Sequence, residues 1–400
     1  MKKFLCILTA ALLTAGLAAC GKAESGENND NSAVKTAASV YAENPITFND
    51  EKAQPRTLDN TYYKLTNNKS LKIGYIGGSV TVGTGSTATE CWRAYTTDWF
   101  TKQYPDAAIE EINVAIGGTS SIWGFSRLKS QLLDKQPDLI FIEFSVNDEY
   151  VNMTGTQSAI TMDGMIRQIG EVLPDTDVIV VIVPNSTNLD KPTQNQKAHK
   201  AAAEYNGVPT VDMGEFLKAK MQETGNEWSY YISDSVHPKA LGYRVYADGM
   251  QGVLGGLLAE SAARGADKVT PHTLPQKAYT TATPKNFKTY FAEDLEHDDN
   301  WAERAFKERL GRDKALRALK QGATLTLRFE GSTVLLIGDF YKNCNVKLTM
   351  DGSEVKTIPG DDDGKYRETV AFENLAEGEH TLTIEYGGPG LCGIAAIGIG

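Results

Sequence analysis

Between residues 71 and 262 the apolar positions come as short runs separated by longer stretches of helical period. Runs suited to strands cover 71–77, 109–116, 138–145, 177–184 and 208–212. Around them, apolar residues recur every three or four positions over roughly 90–104, 124–135, 157–173, 192–206, 213–223 and 238–262, which predicts amphipathic helices. The run Ile179-Val180-Val181-Ile182-Val183 has no polar face, as a strand covered on both sides requires. Strands alternating with helices imply right-handed crossovers and a parallel sheet with helices on both faces. In such sheets functional groups gather at the carboxyl ends of the strands.

Past residue 265 the pattern changes. Residues 266–322 are predicted to form a linker and a helical segment. Pro271, Pro275 and Pro284 punctuate its first half, and Trp301, Ala302, Ala305, Phe306, Leu310, Ala315, Leu316 and Leu319 suggest an amphipathic helix over 301–320. From 323 to 400 the period becomes two: 324–329, 334–337, 346–350, 369–372 and 380–384 alternate between turn signals such as Asp351-Gly352 and Pro359-Gly360. Short strands at this spacing, with no helices between them, predict an antiparallel β-sandwich.

The start of the chain reads differently again. Lys2 and Lys3 precede an apolar stretch from Phe4 to Leu17 that is too short for a stable membrane span. Leu17-Ala18-Ala19-Cys20-Gly21 resembles the lipobox of bacterial lipoproteins. That resemblance implies a signal peptide over 1–20, lipidation at Cys20, and an extracytoplasmic protein lipid-anchored to a bacterial cell membrane. Residues 21–45 have few large apolar side chains and are expected to be a flexible tether, leaving 46–265 for the first domain.

With 400 residues and 41% hydrophobic content there is enough chain for two cores. A net charge of −11 argues against non-specific nucleic-acid binding, so no nucleic-acid partner is expected. Beyond Cys6 and Cys20, the remaining cysteines are Cys91, Cys344 and Cys392. Cys91 opens a predicted helix, and Cys344 and Cys392 could pair in an oxidising compartment. No Cys/His spacing reads as a zinc site. The acidic run Asp361-Asp362-Asp363-Gly364 reads as a solvated turn.

Candidate chemistry lies at the predicted strand ends. The first strand ends in Gly77-Gly78-Ser79, where glycines permit a tight turn and one hydroxyl is presented. The second ends in Asn113-Val114-Ala115-Ile116-Gly117-Gly118-Thr119, and the third in Glu143-Phe144-Ser145-Val146-Asn147-Asp148. Asn147 could donate to an anion or cap a turn. Glu143, inside an apolar strand, must be paired if buried. His237 stands in Asp234-Ser235-Val236-His237-Pro238, just before a helix. An Asp and a His three apart can place the carboxylate on one ring nitrogen and leave the other for a serine.

Taken together, these pieces resemble the SGNH (GDSL-like) hydrolase family over about 70–262. Block one is Gly77-Gly78-Ser79 where the family usually has Gly-Asp-Ser. Block two resembles 113–128, block three is Asn147-Asp148, and block five is Asp234-x-x-His237-Pro238. The resemblance implies a flavodoxin-like three-layer α/β domain, followed here by a jelly-roll-like sandwich. It implies Ser79 as nucleophile, His237 as base and Asp234 as its orienting carboxylate. The oxyanion donors it implies are the backbone N–H groups of Ser79 and Gly118, with Gly117 the second choice, and the Asn147 side chain. No metal and no other cofactor is called for. The combination of export signal, hydrolase and sandwich looks like bacterial carbohydrate esterases, with an acetylated polysaccharide or other short-acyl ester as substrate. An acyl-lipid esterase or thioesterase, an SGNH-type O-acetyltransferase, and a glycan-binding lipoprotein with weak hydrolysis are the alternatives. Trp123, Trp228 and Tyr231 are the candidates for stacking on a sugar.

Overall fold

The computed structural model describes residues 40–305, 314–361, 367–388, 390 and 392–400. The signal, Cys20 and most of the tether lie outside the described residues, as do 362–366, which include all of the acidic turn but Asp361. In chain order the first domain runs α1 (Asp59–Tyr63), β1 (Ser70–Gly77), α2 (Ser79–Val82), α3 (Trp92–Gln103), β2 (Ala108–Asn113), α4 (Ser121–Arg127) and β3 (Leu139–Glu143). It continues through α5 (Ser145–Tyr150), α6 (Gly155–Val172), β4 (Asp177–Ile182), α7 (Gln194–Tyr205), β5 (Thr210–Asp212), α8 (Met213–Thr224), α9 (Trp228–Tyr231) and α10 (Ala240–Ala263). The strands form one parallel sheet in the order β2-β1-β3-β4-β5. This is the flavodoxin-like order, and it puts the start of α2 where the strand order reverses.

Alternate residues of the central strands enter two separate cores. Leu71, Ile73, Tyr75, Phe141, Ile179 and Val181 pack with residues of α3, α8 and α10. Ile76, Ile140, Ile142, Val178, Val180 and Ile182 pack with α4, α6 and α7 on the other face.

The second domain contains β6 (Lys288–Phe291), β7 (Trp301–Ala305), β8 (Lys314–Ala318), β9 (Thr324–Glu330), β10 (Val334–Phe340), β11 (Asn345–Met350), β12 (Ser353–Pro359), β13 (Glu368–Phe372), β14 (Glu379–Tyr386) and β15 (Cys392–Ile399). One antiparallel sheet runs β13-β10-β15-β8-β7, with β6 also on β15; the other runs β12-β11-β14-β9. Val334, Leu336, Ile394 and Ile397 face the sandwich interior. Leu335, Ile337, Ala395 and Ala396 point the opposite way and join the core beneath α4 and α6. The all-apolar run of β10 is therefore that of a strand buried on both faces, and the two domains share a core.

The predicted helix over 301–320 is not formed. Residues 301–305 and 314–318 are paired strands, with Trp301 opposite Ala318, and 306–313 lie outside the described residues. Ala, Arg, Leu and Lys favour helices, but pairing with β15 overrides that preference. From Lys288 onward the segment belongs to the sandwich sheet as β6 to β8, and 266–287 form the connection between the two domains.

The tether prediction fails at its end. Val40 is fully buried in the sandwich core, Tyr41 bridges to Leu375, and Ala42 N–H donates to Asn374 O at 2.8 Å. Cys344 and Cys392 are free, buried thiols whose sulfurs share a hydrogen bond. Cys91 is a free, buried thiol at the start of α3.

Candidate active site

Ser79 is the first residue of α2, directly beyond the carboxyl end of β1. Two glycines make room for that turn. A Cβ on Gly77 would lie 2.4 Å from Thr81 Oγ1 and 2.9 Å from Glu143 O. A Cβ on Gly78 would lie 2.4 Å from Asn147 Oδ1, so the side chain of Asn147 occupies the space that an aspartate here would need. Glu143 supports the turn from within the sheet. Its Oε2 accepts from Thr81 Oγ1 at 2.8 Å and from Gly78 N–H at 3.2 Å. Burial pushes this carboxyl up to about 7, against the pull of those hydrogen bonds.

The loop between α9 and α10 delivers the histidine. Asp234 Oδ1 accepts from the N–H groups of Val236 and His237, both at 2.8 Å, forming an Asx turn. Its Oδ2 lies 2.7 Å from His237 Nδ1, and His237 Nε2 lies 2.8 Å from Ser79 Oγ. Partial burial raises the Asp234 pKa, but the hydrogen bonds from His237 and Val236 outweigh it and leave the carboxylate below its usual range. The loop is held at three points. Ser233 N–H donates to His237 O, Ser186 N–H donates to Ser235 O, and Gly85, at φ +95°, lets its own loop close against Pro238.

Beyond β2 the chain continues alongside β1, with Val114 N–H donating to Tyr75 O and Ile116 N–H to Gly77 O. It then turns through Gly117 and Gly118. Gly118 has φ +70°, a conformation that favours glycine, and a Cβ on Gly117 would be 3.6 Å from the Ser79 Cβ. Asn147, in the first turn of α5, is 9% exposed. Ser79, Gly117, Gly118, Asn147 and His237 all line one cavity of about 710 Å³.

The three aromatic candidates do not line that cavity. Trp123 is 1% exposed in the core beneath α4. Tyr231 is equally buried, and its hydroxyl is 2.8 Å from Thr224 Oγ1. Trp228 donates its indole N–H to Asp234 O at 2.8 Å and thus buttresses the Asp234 turn. Periodicity marks an aromatic as apolar but not as deep, and burial is the ordinary fate of such side chains. The aromatic in the cleft is Tyr150, 53% exposed, beside Glu149, whose carboxylate accepts from Asn185 Nδ2 at 3.0 Å. Asn185, Ser186 and Thr187 complete that wall. No motif marks these three residues, but they follow the carboxyl end of β4, where the strand-end rule applies.

A sheet of this order, with its cavity at the β1 and β3 strand ends, is a flavodoxin-like scaffold with its site at the switch point. Residues 75–245 match the GDSL-like lipase/acylhydrolase family, and the domain is a carboxylic ester hydrolase. Among solved structures, a two-domain esterase (CEX) active on acetylated mannans is 20% identical, with a TM-score of 0.69 over 88% of this chain and 98% of that one. The same esterase co-crystallised with mannopentaose gives 21% identity and 0.69 over 89% and 98%. These likenesses extend the fold match through the sandwich. An acetylxylan esterase catalytic mutant from Geobacillus stearothermophilus is 18% identical, with a TM-score of 0.41 over 46% of this chain and 94% of that one. No curated protein matches the sequence.

Proposed function

We propose that the chain is a serine esterase that removes O-acetyl groups from polysaccharides. The observation that carries this is the chain of contacts from Ser79 Oγ to His237 Nε2 (2.8 Å) and from His237 Nδ1 to Asp234 Oδ2 (2.7 Å), opening into the cavity. In this reading Ser79 attacks the ester carbonyl as His237 takes its proton. Asp234 fixes the ring tautomer and stabilises the imidazolium. The N–H groups of Ser79 and Gly118 and the Asn147 amide receive the negative charge that develops on the carbonyl oxygen. His237 then protonates the leaving alcohol, and water releases acetate from the acyl-enzyme by the same route in reverse.

The substrate assignment rests on the cleft wall. Asn147, Glu149, Asn185, Ser186 and Thr187 offer hydrogen bonds to a hydroxylated alcohol, and Tyr150 offers an aromatic surface to a sugar. The acetylated mannans named for the two-domain neighbour are the first polymers to try. Wild type should release acetate from acetylated mannan or xylan and act weakly on long-chain p-nitrophenyl esters. Ser79→Ala should lose the activity at unchanged Tm. Equal hydrolysis of p-nitrophenyl acetate by both proteins would refute the mechanism.

The export reading stands beside this one, carried by Leu17-Ala18-Ala19-Cys20. Full-length protein made in a bacterium should partition into detergent, and Cys20→Ser should move it to the aqueous phase. An aqueous wild type would refute the lipid anchor.

A further inference from the structure

The loop that carries Gly118 is held from outside its own domain. Glu368, the first residue of β13, is 2% exposed, and its two carboxyl oxygens lie 3.0 and 3.2 Å from the backbone nitrogen of Ser120, whose N–H they accept. Ser120 stands two residues beyond Gly118 and caps α4 through its own side chain, which accepts from Ile122 N–H. The next N–H, that of Ser121, goes to Asp148 Oδ1 at 2.8 Å, and Ser121 Oγ donates to Asp148 Oδ2 at 2.8 Å. Asp148 is the neighbour of Asn147 and is locked in turn by Ser158 Oγ at 2.9 Å and His199 Nε2 at 2.8 Å. Two consecutive N–H groups therefore meet two buried carboxyl groups, one from each domain. The Asp148 contact ties the Gly118 loop to Asn147. The Glu368 contact ties it to the sandwich.

The geometry points to Glu368 as a positioning residue for the oxyanion hole, so that the sandwich completes the active site from behind. This rests on the assignment of Gly118 and Asn147 made above. Every residue of α4 is buried, so the helix can shift only if its neighbours do. On the sandwich side Phe287 stacks on Phe125 at 3.8 Å, and Thr289 Oγ1 donates to Ser126 O at 2.8 Å. Those contacts hold the body of the helix, whereas Glu368 reaches the turn before it, where Gly118 takes its φ. Burial and the charge of Asp148 push the Glu368 carboxyl up to about 8 against the Ser120 hydrogen bonds, so a neutral amide is a close replacement.

The test uses the full chain, with kcat and KM measured on p-nitrophenyl acetate. Glu368→Ala should lower kcat about 10- to 100-fold, because the loop shifts rather than disappears, and should leave KM within about threefold. Glu368→Gln, which keeps an acceptor on Ser120, should restore most of kcat. Thr289→Ala should lower Tm without changing kcat. A folded Glu368→Ala with wild-type kcat, or a Glu368→Gln as damaged as Glu368→Ala, would overturn the inference. Should Glu368→Ala fail to fold, Glu368→Asp decides, since it keeps the carboxyl group but retracts the acceptor by one methylene. A large fall in kcat at constant KM supports the role, and full kcat rejects it. A Ser79→Ala protein as active as wild type would sink the underlying assignment. An inactive Ser79→Ala beside unaffected Glu368 variants sinks only this inference.

Discussion

Gly78 gives a sharp test of the oxyanion assignment, because the perturbation acts through one atom. Its backbone lies at φ −90° and ψ −153°, open to any residue, so Gly78→Ala brings no backbone strain. The added methyl would sit 2.4 Å from Asn147 Oδ1 and 3.0 Å from its Cγ. The amide must swing away, at modest cost to stability. If Asn147 holds the oxyanion, its displacement should lower kcat by about 10²–10³, or roughly 3–4 kcal/mol of transition-state stabilisation. Asn147→Ala should lose a similar amount. It also vacates the space the methyl needs, so Gly78→Ala should cost little more in that background. The double variant should match the single ones, a coupling of about 3 kcal/mol where independent sites would give none. The assay is kcat on p-nitrophenyl acetate for the four proteins, with Tm measured alongside. A Gly78→Ala enzyme within threefold of wild type, or a double variant whose losses multiply, would refute the reasoning.

Glu143, pushed up to about 7, stays protonated in the folded protein after the unfolded chain has ionised. Its contribution to stability is full below about pH 4.5 and is lost as pH rises toward 7, by on the order of 3 kcal/mol. Glu143→Gln should remove that slope: urea unfolding at pH 5, 6 and 7 should show the variant gaining on wild type as pH rises, and a constant difference would contradict the burial argument. Trp123→Ala should destabilise by about 3–5 kcal/mol in the same assay while leaving KM on acetylated polymer unchanged, because the ring is core. Tyr150→Ala should do the reverse, raising KM on polymer but not on p-nitrophenyl acetate; a raised polymer KM in Trp123→Ala with wild-type stability would reverse the two roles.

The elements legible in the sequence were those whose pattern has a local cause. Ile73 to Ile76 followed by two glycines and a serine describes a strand and its turn within eight residues, and Asp234 and His237 meet across three positions. What lay hidden depends on distant partners. Residues 314–318 read as helix because nothing local reports β15, and β15 itself, rich in Gly and Ala, carries no alternation to find. The depth of Trp123 and Tyr231 is likewise set by packing and not by spacing. Glu368 stands just outside the predicted strand over 369–372, and its meaning depends on a turn 248 positions earlier.

The bridge from Tyr41 to Leu375, with Asn374 Nδ2 donating to Asn44 O across 330 positions, bears on how the protein is made. Tyr41, Ala42 and Asn44 cannot make these contacts until the sandwich is almost complete. A growing chain can assemble the five parallel strands, but it cannot seal Val40 or place Glu368 until its last hundred residues arrive. Long loop closures of this kind slow folding and leave apolar edges open meanwhile. The closing stitch and the support behind Gly118 come from the same late-formed sheet, so a chain stopped short of it would lack both.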